Sequence, residues 1–546
     1  MAKNDLYIDI FGTNFTISAN EEPEYLKNLL DKYRQTIENV KKKTGLKDPL
    51  KIAVLTGFLL SDDLEKAGIA KENEEQKKLG EAEELALGLI SKLDKTLLTG
   101  IAPNITGGDK PSEPEKEEAP PPEKEAQQTE DKPLQEESYL PEKKSFYKLF
   151  NTVKHYTWGS ADWIPALVEQ RNISRIPWAE YWMGVHPSGP SRLESGHLLS
   201  KLIEGEDKDP SGEEKSGSYS ALPFLFKILA AAKPLSIQTH SSADMAREGF
   251  NRENKKNIPL DAKNRSYRDP NGKNEIYCAL SPSAALCGFR DSGEIAFLVE
   301  ILSQGSDGAI RNIFGKLLTA LKQEEENPIK AFLTVLYEMN GEESRSFITY
   351  IMRQQKQLVV DFPEYKGEWG LCAYLASFFP ADAGIIAPLY MNIVELTPGD
   401  AIYLPSGIIH SYIKGMGLEL TENSDNVLRG GLSSKHIDHT EFLLNLNYQS
   451  YKPAVIKAPK EPLPSFTYRF PCDDFYLSVK SGRNGNVKYS EPGPSIMLLK
   501  DGAAVISDAE DKNIQVSKGD SVFIPYGSEL QLSGTFTAYI ASAGKA

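Results

Sequence analysis

Apolar and polar positions alternate through Asp5–Ala19, DLYIDIFGTNFTISA, on both sides of Gly12-Thr13-Asn14. Alternation with a period of two, broken by turn-forming residues, predicts a β-hairpin. The period then changes. Tyr25, Leu26, Leu29, Leu30, Tyr33, Ile37 and Val40 fall on one face of a helix. Beyond Pro49 the chain runs free of proline to Leu98, and Leu79, Ala82, Ala86, Leu89, Leu93 and Leu97 recur at steps of three and four. That spacing is a coiled-coil seam. A helix of this length reaches roughly 75 Å at 1.5 Å per residue.

The patterning stops between residues 101 and 143, where the chain reads PSEPEKEEAPPPEKEAQQTEDKPLQEES, almost without aromatic or β-branched residues. Such a segment buries too little apolar surface to offset its ordering entropy, so a disordered linker is expected. From Phe146 onward, short apolar runs such as LPFLFKIL, IMLLK and SVFIP stand between Gly, Pro, Asn and Asp clusters, which reads as β structure. Between Ser292 and Pro380 the runs EIAFLVEIL, IRNIFGKLLTALK, IKAFLTVLYEM and SFITYIMRQQ are instead amphipathic helices.

An internal echo points to the architecture of the β body. GDAIYLPSG (Gly399–Gly407) and GDSVFIPYG (Gly519–Gly527) each place a Gly-Asp turn before a short apolar strand that ends at Pro-x-Gly. Two jelly-roll (cupin-type) barrels would repeat such a unit. Three residues past the second glycine the first copy has His410 and the second Leu530, so only the first barrel could hold a metal. The expected fold is therefore multidomain: a mainly β double jelly-roll body with an inserted α-helical domain, behind a small α+β head with a long coiled-coil helix. The boundaries are the head and its helix at 1–100, the linker at 101–143, and a first barrel in two parts, 144–291 and 385–450. The helical insertion takes 292–384, and a metal-free C-terminal barrel takes 451–546.

Composition narrows the partners. A formal charge of −15 and no long Lys/Arg stripe argue against nucleic acid. Cys278, Cys287, Cys372 and Cys472 form no CxxC pair, so neither a disulfide framework nor a cysteine zinc site is indicated. No run of some 18 apolar residues would span a membrane, and MAKNDLYIDIFG has no secretory apolar core, so a cytoplasmic location is expected.

Among seven histidines, two sit in suggestive settings. Gln238 and His240, two apart in a predicted strand, project from one face. His410 ends the first barrel-mouth repeat, and Glu275 lies where NGKNEIYCAL turns from polar to apolar. Two imidazoles, a carboxylate and an amide oxygen suit Zn²⁺ or a similar divalent ion. On spacing alone, with glutamine an uncommon zinc ligand, these read more readily as separate structural residues.

Collinear motifs decide between those readings. HYTWGS (155–160), AEYWMGVHPSGPS (179–191), LPFLFKIL (222–229), LSIQTH (235–240), GDAIYLPSGIIHSYIKG (399–415) and GLELTENSDNVLRGGLSSKHID (417–438) together resemble the type I mannose-6-phosphate isomerases. The resemblance implies one Zn²⁺ per chain held at Gln238, His240, Glu275 and His410. It implies an active-site arginine at Arg429, polar residues near the metal at Glu419 and Lys273, and substrate-phosphate contacts at Lys227, Ser236 and Lys435. The implied substrates are mannose 6-phosphate and fructose 6-phosphate, interconverted through a cis-enediol(ate). Two departures stand out. The family's Asn-His-Lys-Pro-Glu is Asn271-Gly272-Lys273-Asn274-Glu275 here, and the proline that follows the ligand histidine is Ser241. A catalytically silent cupin that senses sugar phosphate is the competing expectation.

The head, through IDIFGTNFTIS (8–18), EEPEYL (21–26) and DPLKIAVLTGFLLSDDL (48–64), resembles the ZapA cell-division proteins. That implies self-association into a dimer or tetramer through the coiled coil, and binding to FtsZ filaments.

Overall fold

A computed structural model of the chain describes residues 4–10, 13–19, 30–31, 34–38, 40–42, 144–206, 222–322, 327–459, 464–491 and 493–544. The chain forms two units, Met1–Pro133 and Leu134–Ala546. In the first, strands Asn4–Ile10 and Thr13–Ala19 pair antiparallel, with Ile10 opposite Thr13, which is the hairpin that the alternation anticipates. Leu30, Ile37 and Val40 are buried, as the 3.6-residue pattern requires. The seam from Leu79 to Leu97 and the 101–143 linker lie outside the described residues.

The second unit is mostly sheet. A ten-stranded sheet carries the strands Phe224–Ala231, Ile237–Thr239, Glu275–Ala279, Ala401–Leu404, His410–Glu422 and Leu428–Gly431. An eight-stranded sheet gathers the C-terminal strands, Phe475–Ser490, Ser495–Ser507, Ser521–Ile524 and Glu529–Ala543 among them. All pairings between these strands are antiparallel. One strand is placed differently from the sequence reading. Tyr147–Phe150, grouped above with the first barrel, pairs with Ser521–Ile524 of the C-terminal sheet and with Arg192–Leu193. Alternation identifies a strand but says nothing of its partner, which is set by where the apolar face finds cover. Phe146 accordingly packs with Met497, Ile506 and Leu532.

The two echo segments take the same local form. Gly399 and Gly519 have φ of 89° and 85°, the left-handed conformation that glycine adopts without a Cβ clash. In each, the next aspartate folds back on the residue three before it. Asp400 Oδ2 accepts from Thr397 N at 2.8 Å, and Asp520 Oδ2 accepts from Ser517 N at 2.9 Å. The strands Ala401–Leu404 and Ser521–Ile524 follow. His410 then opens one long strand, whereas Leu530 is buried among Val516, Phe536 and Ile540.

Between Ser292 and Phe378 the helices Ser292–Ser303, Gly308–Ala320, Pro328–Tyr337, Gly341–Asp361 and Lys366–Phe378 form the helical insertion. Asn327 caps Pro328–Tyr337, and Asn340 with Glu343 makes a capping box on Gly341–Asp361. Their apolar faces share one core with Ile237, Ile409, Leu428 and Leu432, which lie in or beside strands of the ten-stranded sheet. Each of the first three immediately precedes a candidate site residue: Gln238, His410 or Arg429. Side chains alternate across a strand, so the helical core fixes one face while the other carries the polar set.

Candidate active site

Four strands bring the chemistry together. Gln238 is the register partner of His410 on one side and of Arg429 on the other. Glu275 is the partner of Leu404 and Thr421. His240 Nε2 lies 3.1 Å from Glu275 Oε1, and His410 Nε2 lies 3.4 Å from Glu275 Oε2. Gln238 presents its amide 3.2 Å from His410 Nε2. A half-turn of the carboxamide exchanges its nitrogen and oxygen without changing its shape.

The imidazoles are oriented from behind. Nδ1 of His240 lies 2.8 Å from the Asn426 carbonyl, and Nδ1 of His410 lies 3.0 Å from the Ile408 carbonyl. Donation from Nδ1 to a carbonyl leaves Nε2 with its lone pair directed at Glu275. His240 Nε2 and Glu275 Oε2 are buried and have no hydrogen-bond partner among the described residues. Buried polar atoms left unpaired are costly. Zinc bonds of about 2.0–2.2 Å put tetrahedral ligand atoms roughly 3.3–3.6 Å apart, close to these spacings. Among the described residues, His240, Glu275 and His410 are the His/Cys/Asp/Glu cluster whose ligand atoms all lie within 4.8 Å of one another. The donor set fits a divalent ion.

Charges around the cluster are strongly perturbed. Burial pushes His240 down to about 4, with the Lys273 ammonium next in effect. Burial works against the Glu275 carboxylate, but Lys273 and His240 hold its pKa well below the usual range. Lys273 Nζ stands 2.9 Å from Glu275 Oε1, and its backbone N–H bonds the Ser241 carbonyl. Lys227 and Glu419 pair at 2.6 Å, both buried. Burial opposes the Lys227 charge, but Glu419, Glu180 and Glu275 hold its pKa above the ordinary lysine range. Burial pushes the Glu419 carboxyl up, against the pull of Lys227.

The remaining sequence candidates lie around this centre. Ser236 is half-buried and shares the strand face of Gln238 and His240. Arg429 is half-buried; burial and then Arg268 lower its pKa, against Tyr156. Lys435 is exposed, its Nζ 4.9 Å from the Tyr156 ring centre. Lys227 is thus tied to a carboxylate, whereas Arg429 is half-buried beside Arg268 and Lys435 is exposed.

Sequence reasoning passed over four residues. Trp182 is the cross-strand partner of Lys227, which in turn is the partner of Glu419. Glu180 is buried and accepts from Trp182 Nε1 at 2.7 Å. Tyr156 has its pKa pushed up to about 12, chiefly by burial and then by Glu180. Asn426, besides holding His240, accepts from Arg268 N and donates to the Asp269 carbonyl. All four lie inside quoted motifs, but only the tertiary structure shows that they approach the site.

Both changes within the 271–275 segment are accommodated locally. A Cβ on Gly272 would lie 2.8 Å from Ala243 N, so a larger residue does not fit this loop. Asn274 uses a backbone N–H that proline lacks, donating to Glu422 Oε2 at 3.2 Å, while its Nδ2 donates to Glu422 Oε1 at 3.0 Å. Its Oδ1 accepts from Ser406 N at 3.0 Å.

Comparison with known proteins finds relatives for both parts of the chain. The family described as phosphomannose isomerase type I, catalytic domain, matches residues 146–292. The family described as cell division protein ZapA matches residues 6–95. Mannose-6-phosphate isomerase of Escherichia coli K12 is 34% identical over 384 residues, 69% of this chain and 94% of that protein. Mannose-6-phosphate isomerase 2 of Arabidopsis thaliana is 31% identical over 408 residues, 70% of this chain and 89% of that protein. A crystal structure of a mannose 6-phosphate isomerase bound with zinc and yttrium superposes with a TM-score of 0.65 at 30% identity, covering 74% of this chain and all of that one. The Salmonella typhimurium enzyme with fructose 6-phosphate and zinc gives 0.64 at 30%, with the same coverage. With a 34%-identical relative spanned over 94% of its length, and with the motifs and the His–Glu–His cluster in one site, the chain belongs to the type I mannose-6-phosphate isomerase family.

Proposed function

We propose that this protein interconverts mannose 6-phosphate and fructose 6-phosphate, with one zinc ion held by Gln238, His240, Glu275 and His410. The observation that carries this reading is the buried cluster of His240, Glu275 and His410, with ligand-like spacing and unpaired atoms facing inward. When bound, the ion supplies Lewis-acid polarisation of the sugar's carbonyl and hydroxyl oxygens.

The chain's own residues supply the rest. Arg429, permanently charged and planar, suits the negative charge that develops as the proton leaves carbon. Lys435 offers the substrate phosphate an exposed cation. Glu275 and Lys273 form a buried pair beside the imidazoles, which keeps the carboxylate ionised. Lys227, tied to Glu419, belongs to the wall of the site, and its closeness to Trp182 orients that ring. Lys227 and Ser236 remain phosphate contacts by family likeness.

The test is a coupled assay of purified protein with mannose 6-phosphate, run with and without chelator. Turnover that disappears on chelation and returns with zinc supports the reading. Metal-loaded, folded protein without turnover would favour the silent sensor instead, and the closed loop at Gly272 is the observation that keeps that reading in play.

For the head we propose self-association and binding to FtsZ filaments. The support is the ZapA family match over residues 6–95 together with the Leu79–Leu97 seam.

A further inference from the structure

Arg429 lies in the Leu428–Gly431 strand, and Lys435 in the short connection from that strand to the His439–Leu444 helix. The first residue of that connection is Leu432, with φ of 53°, a conformation rare for a branched side chain. Something must hold it there. Its own side chain is 1% exposed and packs in the helical core. Its backbone N–H donates to Asp382 Oδ2 at 2.6 Å, and the Ser433 backbone N–H adds to the field that favours this carboxylate's charge. The other oxygen, Oδ1, accepts from Gly384 N at 2.8 Å, so the acid is fixed from its own side. Space enforces the same geometry: a Cβ on Gly384 would lie 2.9 Å from both Asp382 Oδ1 and Ile237 Cδ1.

We propose that Asp382, contributed by the helical insertion, is a positioning residue that fixes where Arg429 and Lys435 stand at the mouth of the site. Asp382 touches neither substrate nor metal; it acts through the Leu432–Ser433 backbone, three residues from each cation. A carboxylate that accepts several backbone N–H groups is strongly held, so it can hold a strained turn in one place. On this account the insertion is the rigid support from which the two mouth cations are aimed. The inference rests on the proposed phosphosugar site, with Arg429 and Lys435 as its cations.

The test compares Asp382→Ala, Asp382→Asn and Asn327→Ala in the full-length, zinc-loaded protein. Asn327 caps a helix elsewhere in the insertion and serves as the structural control. Asp382→Ala is expected to raise KM for mannose 6-phosphate about tenfold and lower kcat/KM on the order of 30-fold, with zinc content unchanged. Asp382→Asn, which keeps one acceptor oxygen, should fall between. Asn327→Ala should lower the melting temperature and leave KM alone. Affinity for inorganic phosphate, measured by calorimetry, should weaken about tenfold in Asp382→Ala, and this readout holds even if the wild-type protein proves not to be an isomerase. KM and phosphate affinity unchanged in a folded Asp382→Ala or Asp382→Asn protein would overturn the proposal. So would a loss that tracks zinc content, or an equal rise of KM in Asn327→Ala.

Discussion

Lys227 and Glu419 are register partners on neighbouring strands, and their ammonium and carboxylate meet at 2.6 Å with both residues buried. Breaking a buried pair from one side strands a charge, which costs more than the intact pair contributes. Lys227→Met should therefore destabilise the body by about 3 kcal/mol, and Glu419→Gln, which keeps a hydrogen-bond acceptor, by about 1 kcal/mol. Urea unfolding of the two variants checks the order; the reverse order would mean that the acid, not the lysine, tolerates loss of its partner.

Removal of a donor from the buried cluster should remove metal and activity together. His410→Ala is expected to bind less than a tenth of the zinc of the wild-type protein, and its isomerase activity should fall in proportion. Metal analysis beside a coupled assay measures both. Full activity in zinc-free protein would exclude the proposed centre.

Arg429→Ala should behave differently. Its guanidinium is proposed to face charge that exists only as the reaction proceeds, so kcat should fall on the order of 10² while zinc content stays constant. A rise confined to KM would move Arg429 to ground-state binding of the phosphate.

The loop with two departures from its family has become self-consistent. Gly272→His, which restores the family residue, would drive a Cβ to 2.8 Å from Ala243 N and is expected to cost at least about 1 kcal/mol. Asn274→Ala leaves Ser406 N and Glu422 short of partners and should cost roughly 1–3 kcal/mol. Melting temperatures of the two proteins test this; a stabilised Gly272→His protein would show that Ala243 yields.

The body's first strand belongs to its last sheet, which sets where the chain can be cut. A protein that begins at Lys144 should fold and isomerise substrate, whereas one that begins at Asn151 loses the Tyr147–Phe150 strand with buried Phe146, Tyr147 and Leu149. At roughly 2 kcal/mol per buried side chain, that second cut should leave little native protein. Circular dichroism and activity compare them. In the full-length chain, Leu89→Glu with Leu93→Glu should yield monomers without loss of isomerase activity, and should weaken co-sedimentation with FtsZ filaments. If the wild-type head stays in the supernatant at tens of micromolar, its part is confined to oligomerisation.

Much of this was legible in the chain alone. Period-two alternation gave the Asn4–Ala19 hairpin, 3.6-residue periodicity gave the insertion helices, and the Gly-Asp…Pro-x-Gly echo marked two equivalent turns with matching backbone angles. These signals are local: a residue's preference and its period survive without knowledge of what lies opposite. Collinear motifs named Gln238, His240, Glu275, His410 and Arg429, but spacing could not bring residues 2, 35 and 135 apart to one point. Only the tertiary structure decided that Gln238 lies between His410 and Arg429, that Lys227 is tied to Glu419, and that Tyr147–Phe150 crosses to the C-terminal sheet. Strand partners and ion pairs depend on which surfaces meet once the chain has closed on itself, and that information is spread over the whole sequence rather than held at any one position in it.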